Sequence, residues 1–143
     1  MVGQVIIYYM EIKLSTNNDI FKLGNLLDFK FNDQNFDIHN CFEIIKTEIT
    51  NNELIIILQS NELYNEMNSV NRKVIINIEF QNVVFDKDFC KSNFNSFTYF
   101  VVSSENDKFR HNYKKKYAID LIFNGDDFLL LYCDDIIFRI KNK

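Results

Sequence analysis

Proline and tryptophan are absent from this 143-residue chain, and glycine occurs three times, at Gly3, Gly24 and Gly125. Isolated glycines exclude a glycine-rich loop of the kind that cradles phosphates. No run approaches the roughly 18 uninterrupted apolar residues of a membrane span, so no membrane partner is expected. Val5–Met10 is apolar, but Glu11 and Lys13 follow at once and no basic leader precedes it. It reads as a strand, and the protein as cytoplasmic. Cysteine is scarce as well. Cys41, Cys90 and Cys133 are odd in number, far apart and without a C-x-x-C pair, so reduced, buried thiols are the expectation. Of Cys41, Cys90, Cys133, His39 and His111, only His39 and Cys41 are close in sequence, which falls short of a structural zinc pattern. We expect no metal and no cofactor.

Asparagine, isoleucine, lysine and phenylalanine are abundant instead, all residues with AT-rich codons, so part of the bias reflects base composition. The twenty asparagines form no uninterrupted tract, and apolar segments separate them. Fifteen phenylalanines supply bulky core material, and the length suits one domain over residues 1–143, with no linker or repeat. The net charge of −4 argues against nucleic acid, which wants a basic footprint. Lys114-Lys115-Lys116, after Arg110 and His111, is the one basic cluster, and a solvated loop over Glu105–Lys116 accounts for it.

Strand patterns dominate. Ile44–Ile49 and Leu54–Leu58 flank Asn51-Asn52, and asparagine tolerates the positive φ of a tight primed turn. The hairpin should set Ile49 against Leu54, Thr47 against Ile56 and Ile45 against Leu58. Leu54–Leu58 is apolar on both faces and reads as an interior strand covered on both sides. Val74–Phe80 alternates, with Val74, Ile76, Ile78 and Phe80 facing one way, and a short hairpin through Gln81-Asn82 to Val83–Phe85 follows. Phe97–Val102 is another strand.

At the C-terminus, Asn124-Gly125 is a two-residue hairpin signal that pairs Leu121 with Phe128, Ile119 with Leu130 and Tyr117 with Tyr132. A four-residue loop over Asn124–Asp127 keeps the same faces inward, so the register stays open. Asp134-Asp135 then turns the chain into Ile136–Ile140, completing a three-stranded meander. Helical spacing is confined to Asn18–Phe29 and Asn61–Asn71. The fold expected is mainly β, one domain of antiparallel sheet (curved sheet, sandwich or partial barrel) with one or two short helices.

Chemistry is sparse. Asp126/Asp127 and Asp134/Asp135 are too close in sequence to face each other across a substrate, and turn formation explains them. His39 and Cys41 share a face if the segment is extended, the one hint of a nucleophile and base, with no oxyanion turn beside them. His39 has two readings. It is a loop histidine bonded to a backbone carbonyl, or it belongs to a surface hot spot with Asp37, Asn40 and Glu43, anchored from below by Phe36 and Phe42.

The segment from Phe36 through His39 and Asn40, then Glu43–Ile49, Asn51-Asn52 and Leu54–Leu58, resembles the signature of the immunity protein 50 type. Those small β-rich bacterial proteins belong to polymorphic toxin systems. Val74–Phe80 and Leu129–Ile140, with Cys133-Asp134-Asp135, match the later strands. Two residues separate Phe36 from His39, Asn40 stands where aspartate is typical, and the family's tryptophans are missing. The resemblance runs from about Phe36 to the C-terminus. It implies a non-enzymatic antitoxin that occludes a cognate toxin domain.

A protein partner, which the resemblance implies is a toxin domain, is therefore the expectation, with Asp37, His39, Asn40, Glu43, Asp126, Asp127, Asp134 and Asp135 at the interface. Two alternatives stay open: an enzymatic or small-ligand-binding β domain with a cavity near His39 and Cys41, and a self-associating module using exposed strand edges, that is, a homo-oligomer.

Overall fold

The computed structural model describes residues 9–13, 28–31, 33–85, 97–104, 115–123 and 127–142. Its strands are β1 (Tyr9–Lys13), β2 (Asp28–Phe31), β3 (Gln34–Asp37), β4 (Phe42–Ile49), β5 (Glu53–Ser60) and β6 (Val74–Gln81). The second half of the chain contributes β7 (Val84–Phe85), β8 (Phe97–Ser104), β9 (Tyr117–Phe123), β10 (Asp127–Cys133) and β11 (Asp135–Asn142). Among the described residues there are also two short helices, α1 (Ile38–Cys41) and α2 (Glu62–Asn68). The protein is mainly β, as expected, and every strand pair is antiparallel.

Strict alternation in β5 and β6 fixes which face is buried. Leu54, Ile56, Leu58, Ile76, Ile78 and Phe80 are fully buried, and each pairs across the two strands with another of the set. Burying such a side chain is worth about 1.5–3 kcal/mol. These strands lie inside a five-stranded sheet ordered β1-β11-β6-β5-β4. A second sheet is ordered β7-β10-β9-β8, and β2 and β3 form a separate hairpin. Side chains from all three enter one core. The other face of β5 is only half covered at Ile55 and Ile57, against the expectation of burial on both sides.

The β4–β5 hairpin forms as read, with Ile49 opposite Leu54 and Thr47 opposite Ile56. Ile45 does not face Leu58. A bulge between Ile44 and Lys46 brings Ile44 opposite Leu58 and leaves Ile45 exposed, because one extra residue shifts everything before it by one place. Neither Asn51 nor Asn52 takes positive φ; among non-glycine described residues only Asp33, Ser69 and Asn82 do. The turn closes through Thr50 N–H to Glu53 O at 3.0 Å, while Asn52 O accepts from Val83 N–H at 2.9 Å.

Two connections differ from expectation for one reason: strands change sheets. β6 does not turn back on β7. β6 pairs with β11, β7 pairs with β10, and the residue partners run through both pairs in one unbroken count. Two neighbouring strands thus bend together from one sheet into the other at Asn82 and Asp134, with Asp134 N–H bonded to Gln81 O at 3.0 Å. Bends of this kind form the corners of packed sheets. The C-terminal meander is therefore broken, since β9 and β10 form a hairpin while β11 inserts between β1 and β6.

The β9–β10 register also differs. Leu121 faces Leu129, Ile119 faces Leu131 and Tyr117 faces Cys133, one residue away from both registers considered. A one-residue slip flips every side chain, so Leu129, Leu131 and Cys133 enter the core. Asn124, Gly125 and Asp126 lie outside the described residues.

Of the two helices expected, the one in Asn61–Asn71 is α2. The other conflicts with β2, which contains Phe29, while residues 18–27 and most of the 105–116 loop lie outside the description. No helix of the described residues is long and apolar enough to cross a membrane.

Candidate functional site

The segment Asp37–Glu43 is not extended throughout. Asp37 ends β3 and caps α1: its Oδ1 accepts from Asn40 N–H at 3.1 Å and its Oδ2 from the Asn40 side chain at 2.9 Å. An aspartate in this position satisfies donors that one short turn leaves orphaned. The turn separates His39 from Cys41. His39 is exposed and Cys41 fully buried, so the shared face needed for a nucleophile–base pair does not form.

A second polar residue, Asn61, ties α1 to α2. Its backbone N–H donates to Cys41 O at 2.9 Å and its side-chain Nδ2 to Asn40 O at 2.9 Å. Its Oδ1 accepts from Leu63 N–H at 3.0 Å and Tyr64 N–H at 3.3 Å, which starts α2. The far end of α2 is held as firmly. Asn68 bonds both backbone groups of Asn35 in β3, at 2.7 Å and 3.0 Å, and Ser69 ends the helix in the left-handed region. Asparagine is suited to each task because one amide both donates and accepts.

Beneath this shoulder lies an aromatic cluster. Phe36 stacks on Phe29 at 4.9 Å, and Phe42 meets Tyr64 edge-on at 5.4 Å, so Phe36 and Phe42 do anchor the segment from below. Tyr64 is fully buried and its hydroxyl donates to Gln34 Oε1. Burial pushes its phenol above the usual 10.0, with neighbouring Arg72 opposing the rise.

With Tyr64 inward, Leu63 and Met67 face out, one helical turn apart, at 43% and 44% exposure. Glu62 and Glu66 border them, and both are exposed. Glu43, also exposed, faces Gln59 in β5, two residues before Asn61, which puts it at the same end of the sheet. Four expected residues, Asp37, His39, Asn40 and Glu43, thus gather at one shoulder. Leu63, Met67, Glu62 and Glu66 join them and were not anticipated. Their signal lay in the spacing of Leu63 and Met67, four residues apart and so on one helix face, with Glu62 and Glu66 beside them.

The acidic C-terminal residues fare differently. Asp134 is half-buried at the sheet corner and accepts from Lys116 N–H and from Lys115 Nζ, each at 3.4 Å. Asp135 starts β11 opposite Gln81, and Asp127 starts β10 opposite Phe123. Among the described residues, no group of three or more His, Cys, Asp or Glu side chains is placed to hold a metal. Cys41 and Cys133 are buried thiols, and burial raises the Cys133 thiol far above its usual 9.0, so it is inert as a nucleophile at neutral pH. Cys90 lies outside the described residues.

Compared with known protein families, curated proteins and solved structures, the chain matches none of them.

Proposed function

We propose that this chain is a non-enzymatic protein-binding module, an immunity protein that neutralises a cognate toxin domain by covering it with the α1–α2 shoulder. The observation that carries the reading is the exposed Leu63 and Met67 pair with Glu62 and Glu66 on its borders. Large apolar side chains desolvate and anchor a partner, while bordering charge speeds encounter and selects its sign. The partner surface that complements it is apolar with basic flanks, in keeping with the net charge of −4. His39, Asn40 and Glu43 supply polar contacts at the rim. The site of action is the cytosol, and occlusion asks no chemistry of the shoulder.

Rigidity supports the reading. Asp37, Asn61 and Asn68 fix both helices to the sheets, so little ordering cost falls on association. The different burial of His39 and Cys41 favours this reading over one in which the two act as a nucleophile and its base.

The test begins with the partner captured from the native cell and purified. We expect a Leu63→Glu/Met67→Glu variant to bind it on the order of 30-fold more weakly or worse, and His39→Ala to have a smaller effect. Unchanged affinity in the double variant rejects the shoulder. If no protein binds and a small molecule raises the melting temperature instead, the binding-module reading falls.

A further inference from the structure

β4 ends the five-stranded sheet, and among the described residues no strand pairs with its outer edge. The Thr50 N–H to Glu53 O bond fixes which backbone groups look outward. Antiparallel pairs alternate, so Glu48 and Lys46 exchange bonds with β5, and the N–H and C=O groups of Thr47 and Ile49 point away from it. That edge is a template for another strand. Its side chains narrow the choice of strand.

Lys46 and Glu48 share the outer face of the sheet and form an ion pair at 2.7 Å, both well exposed. If a second β4 lies antiparallel beside the first, the outward backbone groups permit only a few registers. Shifting one way sets Lys46 against Lys46 of the second copy; shifting the other way sets Glu48 against Glu48. With Thr47 facing Thr47 across a two-fold axis, each Lys46 faces a Glu48. Like charges directly opposite destabilise a sheet pair and unlike charges stabilise it, so this register is favoured twice over. The Ile45 bulge and an edge lysine ordinarily discourage strand addition. Here the bulge ends the ladder at Ile45, and a second copy in this register sets a carboxylate opposite the lysine, which already pairs with Glu48 of its own strand.

We propose that two copies of this chain associate through their β4 edges, antiparallel about Thr47, joining two five-stranded sheets into one and alternating Lys46 and Glu48 across the seam. A closed two-fold contact of this kind uses one self-complementary patch on each copy. The proposal is independent of the shoulder: α2 contributes nothing to it, and the dimer presents two shoulders.

Sedimentation equilibrium of the full chain over a concentration series tests it. The expected result is a monomer–dimer equilibrium. Lys46→Glu and Glu48→Lys each weaken the dimer, by roughly tenfold in dissociation constant, because each places like charges opposite at two positions. The Lys46→Glu/Glu48→Lys combination restores it, and Leu63→Glu leaves it unchanged. Circular dichroism confirms that each variant is folded. As a second readout, the Thr47 and Ile49 amides gain protection from hydrogen exchange as concentration rises. A monomer at every concentration overturns the proposal, as does a dimer indifferent to either single reversal, one that the combination fails to restore, or one in which those two amides gain no protection.

Discussion

The α1–α2 shoulder and the corner at Asp134 are both acidic turns, and they use their charge in opposite ways. At the corner the carboxylate is engaged: Asp134 holds Lys116 N–H and Lys115 Nζ and helps two strands pass together between sheets. At the shoulder the engaged carboxylate is Asp37, while Glu62 and Glu66 stay exposed beside Leu63 and Met67, Glu43 is exposed at the same end of the sheet, and none of the three makes an ion pair among the described residues. The contrast shows why acidity alone does not mark an interface. What distinguishes the shoulder is charge left to solvent beside apolar side chains left to solvent, on a base locked by asparagines.

The largest expected effect that sharpens this contrast comes from below the shoulder. Tyr64→Ala removes a fully buried aromatic under α2, and a loss of about 3–5 kcal/mol in chemical denaturation is the expectation. Asn61→Ala removes the α2 cap and the tie to Asn40 and should cost about 1–2 kcal/mol, measured the same way. Asp134→Ala ranks lower, at about 1 kcal/mol or less, because its partners are partly solvated. If Asp134→Ala proved costlier than Asn61→Ala, the corner would be the more tightly determined region.

A pH dependence separates the two regions without any substitution on the exposed face of the shoulder. Cys133 at the corner and Tyr64 under the shoulder both have raised folded values, chiefly through burial. The unfolded thiol ionises near its ordinary 9.0 while the folded one keeps its proton. Above that pH the unfolded state binds fewer protons, so stability falls as pH rises, and Tyr64 adds to the fall above 10.0. Urea midpoints should be flat in this respect below 9.0 and decline above it, and Cys133→Ala should flatten the first part of the decline. A Cys133→Ala variant with an unaltered decline would contradict the assignment.

How much of this was legible in the sequence depended on how strictly each strand alternates. β6 carries Asn77 and Glu79 between apolar residues, and its buried face followed from the pattern. β9 and β10 are buried on both faces: Ala118, Asp120 and Tyr132 are covered as well as Ile119 and Leu131, so alternation could not choose between neighbouring registers. The corner was invisible for a related reason, since Asp134-Asp135 signals a turn and not whether the strand after it stays in the same sheet. At the shoulder, the polar cluster around His39 was legible as an exposed group beside a hairpin. The α1 turn was not, because four residues carry too little periodicity. Nor were the tasks of Asn40, Asn61 and Asn68, which depend on contacts across up to 33 residues of sequence.

The central claim is that the shoulder binds a protein and the corner does not. Its most direct test is a calorimetric titration of the captured partner into three folded proteins: the parent, Leu63→Glu/Met67→Glu, and Asp134→Ala/Asp135→Ala. The account predicts affinity lost in the shoulder variant, by on the order of 30-fold or more, and kept within about twofold in the corner variant. Equal affinity in all three, or a loss confined to the corner variant, would contradict it.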